Sequence, residues 1–369
     1  NPVESMSCVL KEDGYKIGII SSVPINHATP GSFYGHNISR NGYYEIMTEI
    51  PASGFEYFAS AGILGYHGPR GSEGQVPDAE EFLEANGYNV CFGKEELEVA
   101  MANSDKIVFS QEYNRGVEPK NYDSTGNKPE SETTLAEMVK AGIEFLGDKD
   151  PFFIMCEGGE IDWAAHSDKT MPMIIATIGF DEAIKTAYEF YLEHPDETLI
   201  VVTADHETGG VALGAGNHHG NINWEVIENS WIENEMSNNL RPDENARLNA
   251  EAHIGWTTTD HTGGAVPVYA IGKGAEKFAG RMDNTDIKSK IKRLKEIREN
   301  PHYNAVQVKF SYAITCHKAQ GGQWSAVFVD RCLFGEEPMS RDMLRWLYTA
   351  ITRATERVYL VNFDERFFE

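Results

Sequence analysis

Basic side chains are scarce in this chain. Against 57 aspartates and glutamates stand 32 lysines and arginines, a formal charge of −25 over 369 residues. That balance opposes direct binding of most of the chain to nucleic acid or to an anionic membrane. Cysteines number only five (Cys8, Cys91, Cys156, Cys316 and Cys332), an odd and scattered set that implies no disulfide framework. No apolar run approaches the roughly 18–20 residues of a bilayer-crossing helix, and no signal peptide is visible. The phosphate-cradling loop Gly-x-x-x-x-Gly-Lys-[Ser/Thr] is absent, which excludes a complete P-loop motor. Internal repeats and low-complexity tracts are also missing.

What is present is a set of acidic and histidine clusters at strand ends. The apolar run Pro151-Phe152-Phe153-Ile154-Met155 leads into Cys156-Glu157-Gly158-Gly159-Glu160-Ile161-Asp162-Trp163-Ala164-Ala165-His166. Glu157 therefore falls at a strand end, where α/β proteins place ligands. Asp162 and His166 are four apart, so a helix starting here puts both on one face, at a spacing that can grip one zinc ion. Glu157 offers oxygen to a harder cation nearby. A second apolar run, Thr198 to Thr203, delivers Asp205 and His206 before Gly209-Gly210. A third cluster, Thr257-Thr258-Thr259-Asp260-His261-Thr262-Gly263-Gly264, precedes a strand-like run from Val266 to Ile271. Three such clusters hold enough ligands for two zinc-class ions and one oxygen-bound ion.

These runs, with Ile25-Asn26-His27-Ala28-Thr29-Pro30 and Arg40 upstream, closely resemble the alkaline phosphatases over residues 1–286. The resemblance implies an α/β/α sandwich that hydrolyses small phosphate monoesters with two zinc ions and one magnesium ion. It implies that Asp162, His166 and His261 bind one zinc, that Asp205 and His206 bind the other, and that Glu157 and Thr29 hold magnesium. Arg40 would clamp phosphate oxygens as a bidentate fork. His27 and Trp163 fall where the family places residues behind the ligands that tune metal choice and phosphate contact. The family is usually periplasmic or extracellular and often dimeric; nothing in this chain fixes its own location.

The family's nucleophile, a serine in an Asp-Ser-Ala-type turn upstream of the Thr29 motif, has no counterpart, nor has the earlier metal-bridging aspartate. The expectation is an amino-terminally truncated and impaired enzyme, or else a non-catalytic metal-binding fragment. The one Asp-Ser dipeptide, Asp123-Ser124, lies in a polar stretch that reads as a surface loop. His218-His219 reads as a solvated turn.

Near residue 287 the composition changes. Residues 1–287 carry 18 basic and 47 acidic side chains, and residues 288–369 carry 14 and 10. The run from Tyr312 to Trp324 and the run from Leu344 to Ala354, followed by the strand-like Arg357–Phe363, resemble the last two motifs of superfamily-one DNA helicases. That resemblance implies part of a RecA-like lobe, with Gln320 and Arg353 reaching ATP only in a complete helicase, and it adds a component of an ATP-dependent DNA helicase as a further alternative reading of the chain. The expected division is a phosphatase-like domain at 1–287 and a helicase-like fragment at 288–369.

Elsewhere the pattern predicts strands at Tyr15–Ser21, Phe55–Ser60 and Lys106–Ser110, and helices at Asp78–Asn86, Thr134–Leu146 and Met171–Leu192. The segment from Ala215 to Ala252 reads as a polar, loop-like insertion with a short helix at Trp224–Ile232.

Overall fold

The computed structural model describes residues 4–72, 74–111, 132–147, 150–214, 216, 220–233, 240–291, 324–330 and 354–361. Two compact units divide the chain, Asn1–Asn304 and Ala305–Glu369.

The first unit is built on a parallel sheet. Its strands are β1 (Lys16–Ser21), β2 (Tyr57–Ser60), β3 (Asn89–Phe92), β4 (Ile107–Ser110) and β5 (Phe152–Glu157), in the order β3-β4-β2-β1-β5. The helices α1 (Met6–Glu12), α2 (Ala28–Ser32), α3 (Tyr43–Thr48), α4 (Ile50–Ser53), α5 (Ala79–Ala85) and α6 (Gly93–Asn103) precede or separate these strands. Between β4 and β5 comes α7 (Leu135–Leu146), started by a reciprocal Thr134–Glu137 capping box.

Side chains of successive strand residues point to opposite faces, and both faces are covered. On one face Ile17, Ile19, Phe58, Val90, Val108 and Met155 pack with Ile46 and Met47 of α3 and Leu83 of α5. On the other, Ile20, Tyr57, Ala59, Cys91, Ile107 and Phe109 pack with Leu97 of α6 and with Met138, Val139 and Leu146 of α7. Burial on both sides explains why these strands read as continuous apolar runs rather than alternating ones. This is the α/β/α sandwich expected from the sequence.

After β5 the chain forms α8 (Gly159–Ala165) and the long α9 (Thr170–Glu193), then β6 (Leu199–Val202), β7 (Glu207–Thr208) and β8 (Ala212–Leu213). It returns through α10 (Trp224–Glu233) and α11 (Pro242–Glu251) to β9 (Ile254–Gly255), β10 (His261–Thr262) and β11 (Tyr269–Gly272). The outgoing and returning stretches are joined antiparallel as β6–β11, β7–β10 and β8–β9. That nested hairpin aligns the second and third acidic-histidine clusters, with His261 paired to Thr208.

Several elements go beyond the sequence expectation, among them the short helices α1, α3 and α4. β3 and α6 occupy what read as unassigned chain between the Asp78 helix and the Lys106 strand. The insertion after β8 holds a second helix, α11, where polar composition suggested a loop. Among the described residues no helix is long and apolar enough to cross a membrane. In the second unit β12 (Trp324–Asp330) and β13 (Ala354–Val361) pair in parallel.

Tyr57 tests this packing. It is fully buried, donates its hydroxyl to the Met138 carbonyl at 3.1 Å, and its ring lies so close to α7 that a Cβ on Gly142 would meet it at 3.0 Å. Tyr57→Ala should lower unfolding stability by about 3–5 kcal/mol, and Tyr57→Phe by only about 1 kcal/mol, in a denaturant titration.

Candidate metal centre

The site is assembled at the carboxyl ends of β5 and β6. Register pairs Ser21, the last residue of β1, with Glu157, the last of β5. The Ser21 hydroxyl donates to Glu157 Oε2 at 2.5 Å, and the Thr29 side chain also hydrogen-bonds this carboxylate. Burial pushes the Glu157 pKa up, the two hydroxyls pull it back, and Asp205 and Asp162 push it up further. A half-buried acid flanked by hydroxyls and by other acids has the donor chemistry of a hard-cation site.

The turn into α8 is tight. A Cβ on Gly159 would sit 2.8 Å from the methyls of Val23, so only glycine lets the helix start this close to the sheet. α8 then carries Asp162 and ends on His166. Asp162 Oδ1 lies 3.4 Å from His166 Nε2 and 3.6 Å from His261 Nε2. His166 Nε2 and His261 Nε2 are 3.2 Å apart, and the His206 ring stacks on that of His261 at 3.6 Å between centroids. Single ligand atoms of Asp162, His206 and His261 all fall within 4.8 Å of one another.

Hydrogen bonds decide which ring nitrogens are free. His166 Nδ1 is 2.5 Å from the Thr259 carbonyl, an acceptor only, so Nδ1 carries the proton and Nε2 keeps its lone pair. Thr208 Oγ1 donates to Asp162 Oδ1 at 2.5 Å and has a single proton; it therefore accepts from His206 Nδ1 at 3.1 Å. His206 Nε2 is thus also a free lone pair, 3.5 Å from Asp205 Oδ2. The two imidazoles of His206 and His261, gathered with the Asp162 carboxylate, form the donor set of a zinc-class ion. The residues fit such an ion.

Arg40 and His27 stand together. Arg40 Nη2 is 3.3 Å from His27 Nε2, and Trp163 meets the His27 ring edge-on at 5.3 Å. Burial and the Arg40 charge lower the His27 pKa, against an opposing pull from Asp162. His27 is therefore neutral and accepts from the guanidinium.

Asp162, His206 and His261 thus meet with His166 and Asp205 at one locus, and Glu157 with Thr29 at a neighbouring one. Thr208 and Glu207 went unnoticed in the sequence. Glu207 accepts from the Gly210 amide at 2.9 Å and from the Thr262 hydroxyl, tying β7 to β10. Their visible signal was position, since both follow the Asp205-His206 pair within the same short segment. Asp123-Ser124, His218-His219, Gln320 and Arg353 lie outside the described residues.

Comparison with known proteins agrees with this geometry. The family model "Alkaline phosphatase" matches residues 110–297, and the model "UvrD-like helicase C-terminal domain" matches residues 310–361. Alkaline phosphatase 3 of Bacillus subtilis (strain 168) is 29% identical over 326 residues, covering 76% of this chain and 68% of its own length. The structure of alkaline phosphatase from the Antarctic bacterium TAB5 superposes with a TM-score of 0.61 at 28% identity, over 78% of this chain and 74% of that one. A cold-active alkaline phosphatase from Shewanella sp. shares the fold, with a TM-score of 0.65 at 23% identity over 80% and 79% of the two chains. A variant of the TAB5 protein was solved with Mg bound in its M3 site. With its sheet, its strand-end clusters and half its length matched by one family model, this chain belongs to the alkaline phosphatase family.

Proposed function

We propose that residues 1–287 form a metal-dependent phosphomonoester hydrolase domain, and that residues 288–369 are a helicase-derived tail of separate origin. The observation that carries the reading is the meeting of Asp162, His206 and His261 at one point, with Nε2 of His206 and of the adjoining His166 left as lone pairs.

The proposed ion set is two zinc ions and one magnesium ion. Asp162, His166 and His261 hold one zinc, Asp205 and His206 the other, and Glu157 with Thr29 the magnesium. The magnesium assignment is supported by the half-buried, acid-flanked Glu157 and by the similar TAB5 variant, which carries Mg. When bound, such ions polarise phosphate oxygens and lower the pKa of an attacking hydroxyl. Arg40 binds two non-bridging oxygens of the phosphoryl group and supplies the charge that spreads over them as the bond breaks. His27 accepts one Arg40 N–H and so aims the remaining donors, while Trp163 fixes the His27 ring. Thr208 holds Asp162 and His206 in register, which keeps both acid and imidazole pointed at the same place.

Residues 1–369 contain no serine in an Asp-Ser-Ala turn. The phosphoryl group therefore has no matching acceptor among them, and residues 1–369 on their own bind metal but turn over slowly. A purely metal-binding role is the second reading favoured by the same observation. A motor role is not favoured: no ATP-cradling loop is present in the sequence.

Two outcomes follow. Purified protein should hydrolyse p-nitrophenyl phosphate no faster than a His261→Ala control while still binding zinc; zinc-dependent turnover with a trapped phosphoserine would overturn the impaired reading. The second concerns pH. Glu157 titrates higher in the folded state than its ordinary 4.5, so its destabilising contribution is absent below that pH and sets in as pH rises through the raised value. Metal-free Glu157→Gln should therefore melt higher than the parent at pH 7 and level with it at acid pH. Magnesium at a hundredfold excess over Kd should stabilise only the parent, by about 2.7 kcal/mol.

A further inference from the structure

α11 is a polar helix whose buried face is made of amides. Asn245 and Asn249, one turn apart, are each only 4% exposed. Asparagine is a poor helix former, and a buried amide is costly unless its hydrogen bonds are made. Here they are. Asn245 Nδ2 donates to the carbonyls of Ser167 and Asp168 at 3.0 and 2.8 Å, and Asn249 Nδ2 donates to the Asp168 carbonyl at 2.7 Å. Asn249 Oδ1 accepts from Thr170 Oγ1 at 2.7 Å, and that hydroxyl accepts from Trp256 Nε1 at 3.2 Å.

All of these contacts fall on the corner between α8 and α9, directly after His166. The corner is unfavourable by itself. Asp168 has φ of +52°, a left-handed backbone on a residue with a side chain, and its Oδ1 is buried with no hydrogen-bond partner. The amides of α11 hold this bend by fixing the Ser167 and Asp168 carbonyls.

The same network reaches the other two histidine segments. The Trp256 ring fills the space over Gly209, whose Cβ would lie 2.5 Å from it and whose φ of +84° suits glycine. The Gly209 carbonyl accepts from the amides of Thr257 and Thr258 at 2.8 and 3.2 Å, and the Gly209 amide donates to the Asp260 carbonyl at 3.0 Å. One continuous path of hydrogen bonds and close packing thus joins α11 to the backbone beside His166, His206 and His261.

We propose that Asn245, Asn249 and Thr170 are positioning residues: α11 sets the mutual placement of the three imidazoles, and thereby the zinc affinity of the centre. The inference rests on the metal-site reading above. It gives the insertion after β8 a role in building the centre, although none of these three side chains is itself assigned as a ligand.

The test is zinc binding by the full chain, measured by competition with a chromophoric chelator well below the melting temperature of the metal-free protein. Thr170→Val keeps the shape but removes the hydroxyl between Asn249 and Trp256; Thr170→Ser retains it. The expected result is at least a tenfold weaker zinc affinity for Thr170→Val and an affinity within twofold of the parent for Thr170→Ser. Asn245→Leu, close in volume but without the two donors, is measured alongside and should weaken zinc to a similar degree. His261→Ala, removing a proposed ligand, should weaken it more than either. Parent-like zinc affinity in folded Thr170→Val or Asn245→Leu, with His261→Ala clearly weakened, overturns the positioning role and leaves the metal centre standing. Parent-like affinity in His261→Ala instead overturns the metal-site reading itself, and this inference with it. A lower melting temperature for the metal-free variants with unchanged zinc affinity counts as a purely structural role and also overturns the proposal.

Discussion

Asp162 Oδ1 is the atom on which the rest of the centre depends. It accepts a short hydrogen bond from Thr208 and lies within 3.6 Å of Nε2 on both His166 and His261. Three groups, from the end of α8, β7 and β10, thus share one oxygen, and each has its place fixed by a different part of the fold. The α8 turn depends on Gly159 against Val23, and the β7–β10 pairing depends on the Glu207–Thr262 contact. An arrangement of this kind, acid and imidazole crowded together without lysine or arginine assigned to neutralise them, is costly unless a cation is shared. The proposed ions supply that charge.

The sheet explains why these groups meet at all. Parallel strands all end on the same edge, so Ser21 and Glu157 arrive side by side by register alone. The second half of the centre comes differently, from a nested antiparallel hairpin that folds the Asp205-His206 segment onto the His261 segment. Thr29 reaches Glu157 from the first turn of α2, and Arg40 is held by His27 beside it. The residues proposed to face phosphate and those proposed to hold ions therefore share supports, which couples their geometry.

Much of this was legible in the sequence. Ligand types recur at strand ends, and the four-residue spacing of Asp162 and His166 did place both on one face of α8. The strands with continuous apolar runs were recognisable because both faces of the sheet are covered. What escaped notice follows from physics that leaves a weaker trace. β3 is four residues long and opens on the exposed Asn89, which leaves only Val90-Cys91-Phe92 as an apolar run. α11 buries asparagines rather than apolar side chains, so its pattern imitates a loop. Thr208 acts by donating one proton and accepting another, and hydroxyls have no characteristic spacing. The helicase-like motifs were visible as residue runs, and the match at 310–361 agrees with them.

The most direct measurement is zinc K-edge X-ray absorption on the zinc-loaded protein and on His261→Ala. The assignment predicts a first shell of nitrogen and oxygen only, at about 2.0–2.2 Å, with imidazole scattering that diminishes in the variant. A sulfur neighbour, or a spectrum unchanged by removing His261, would contradict it.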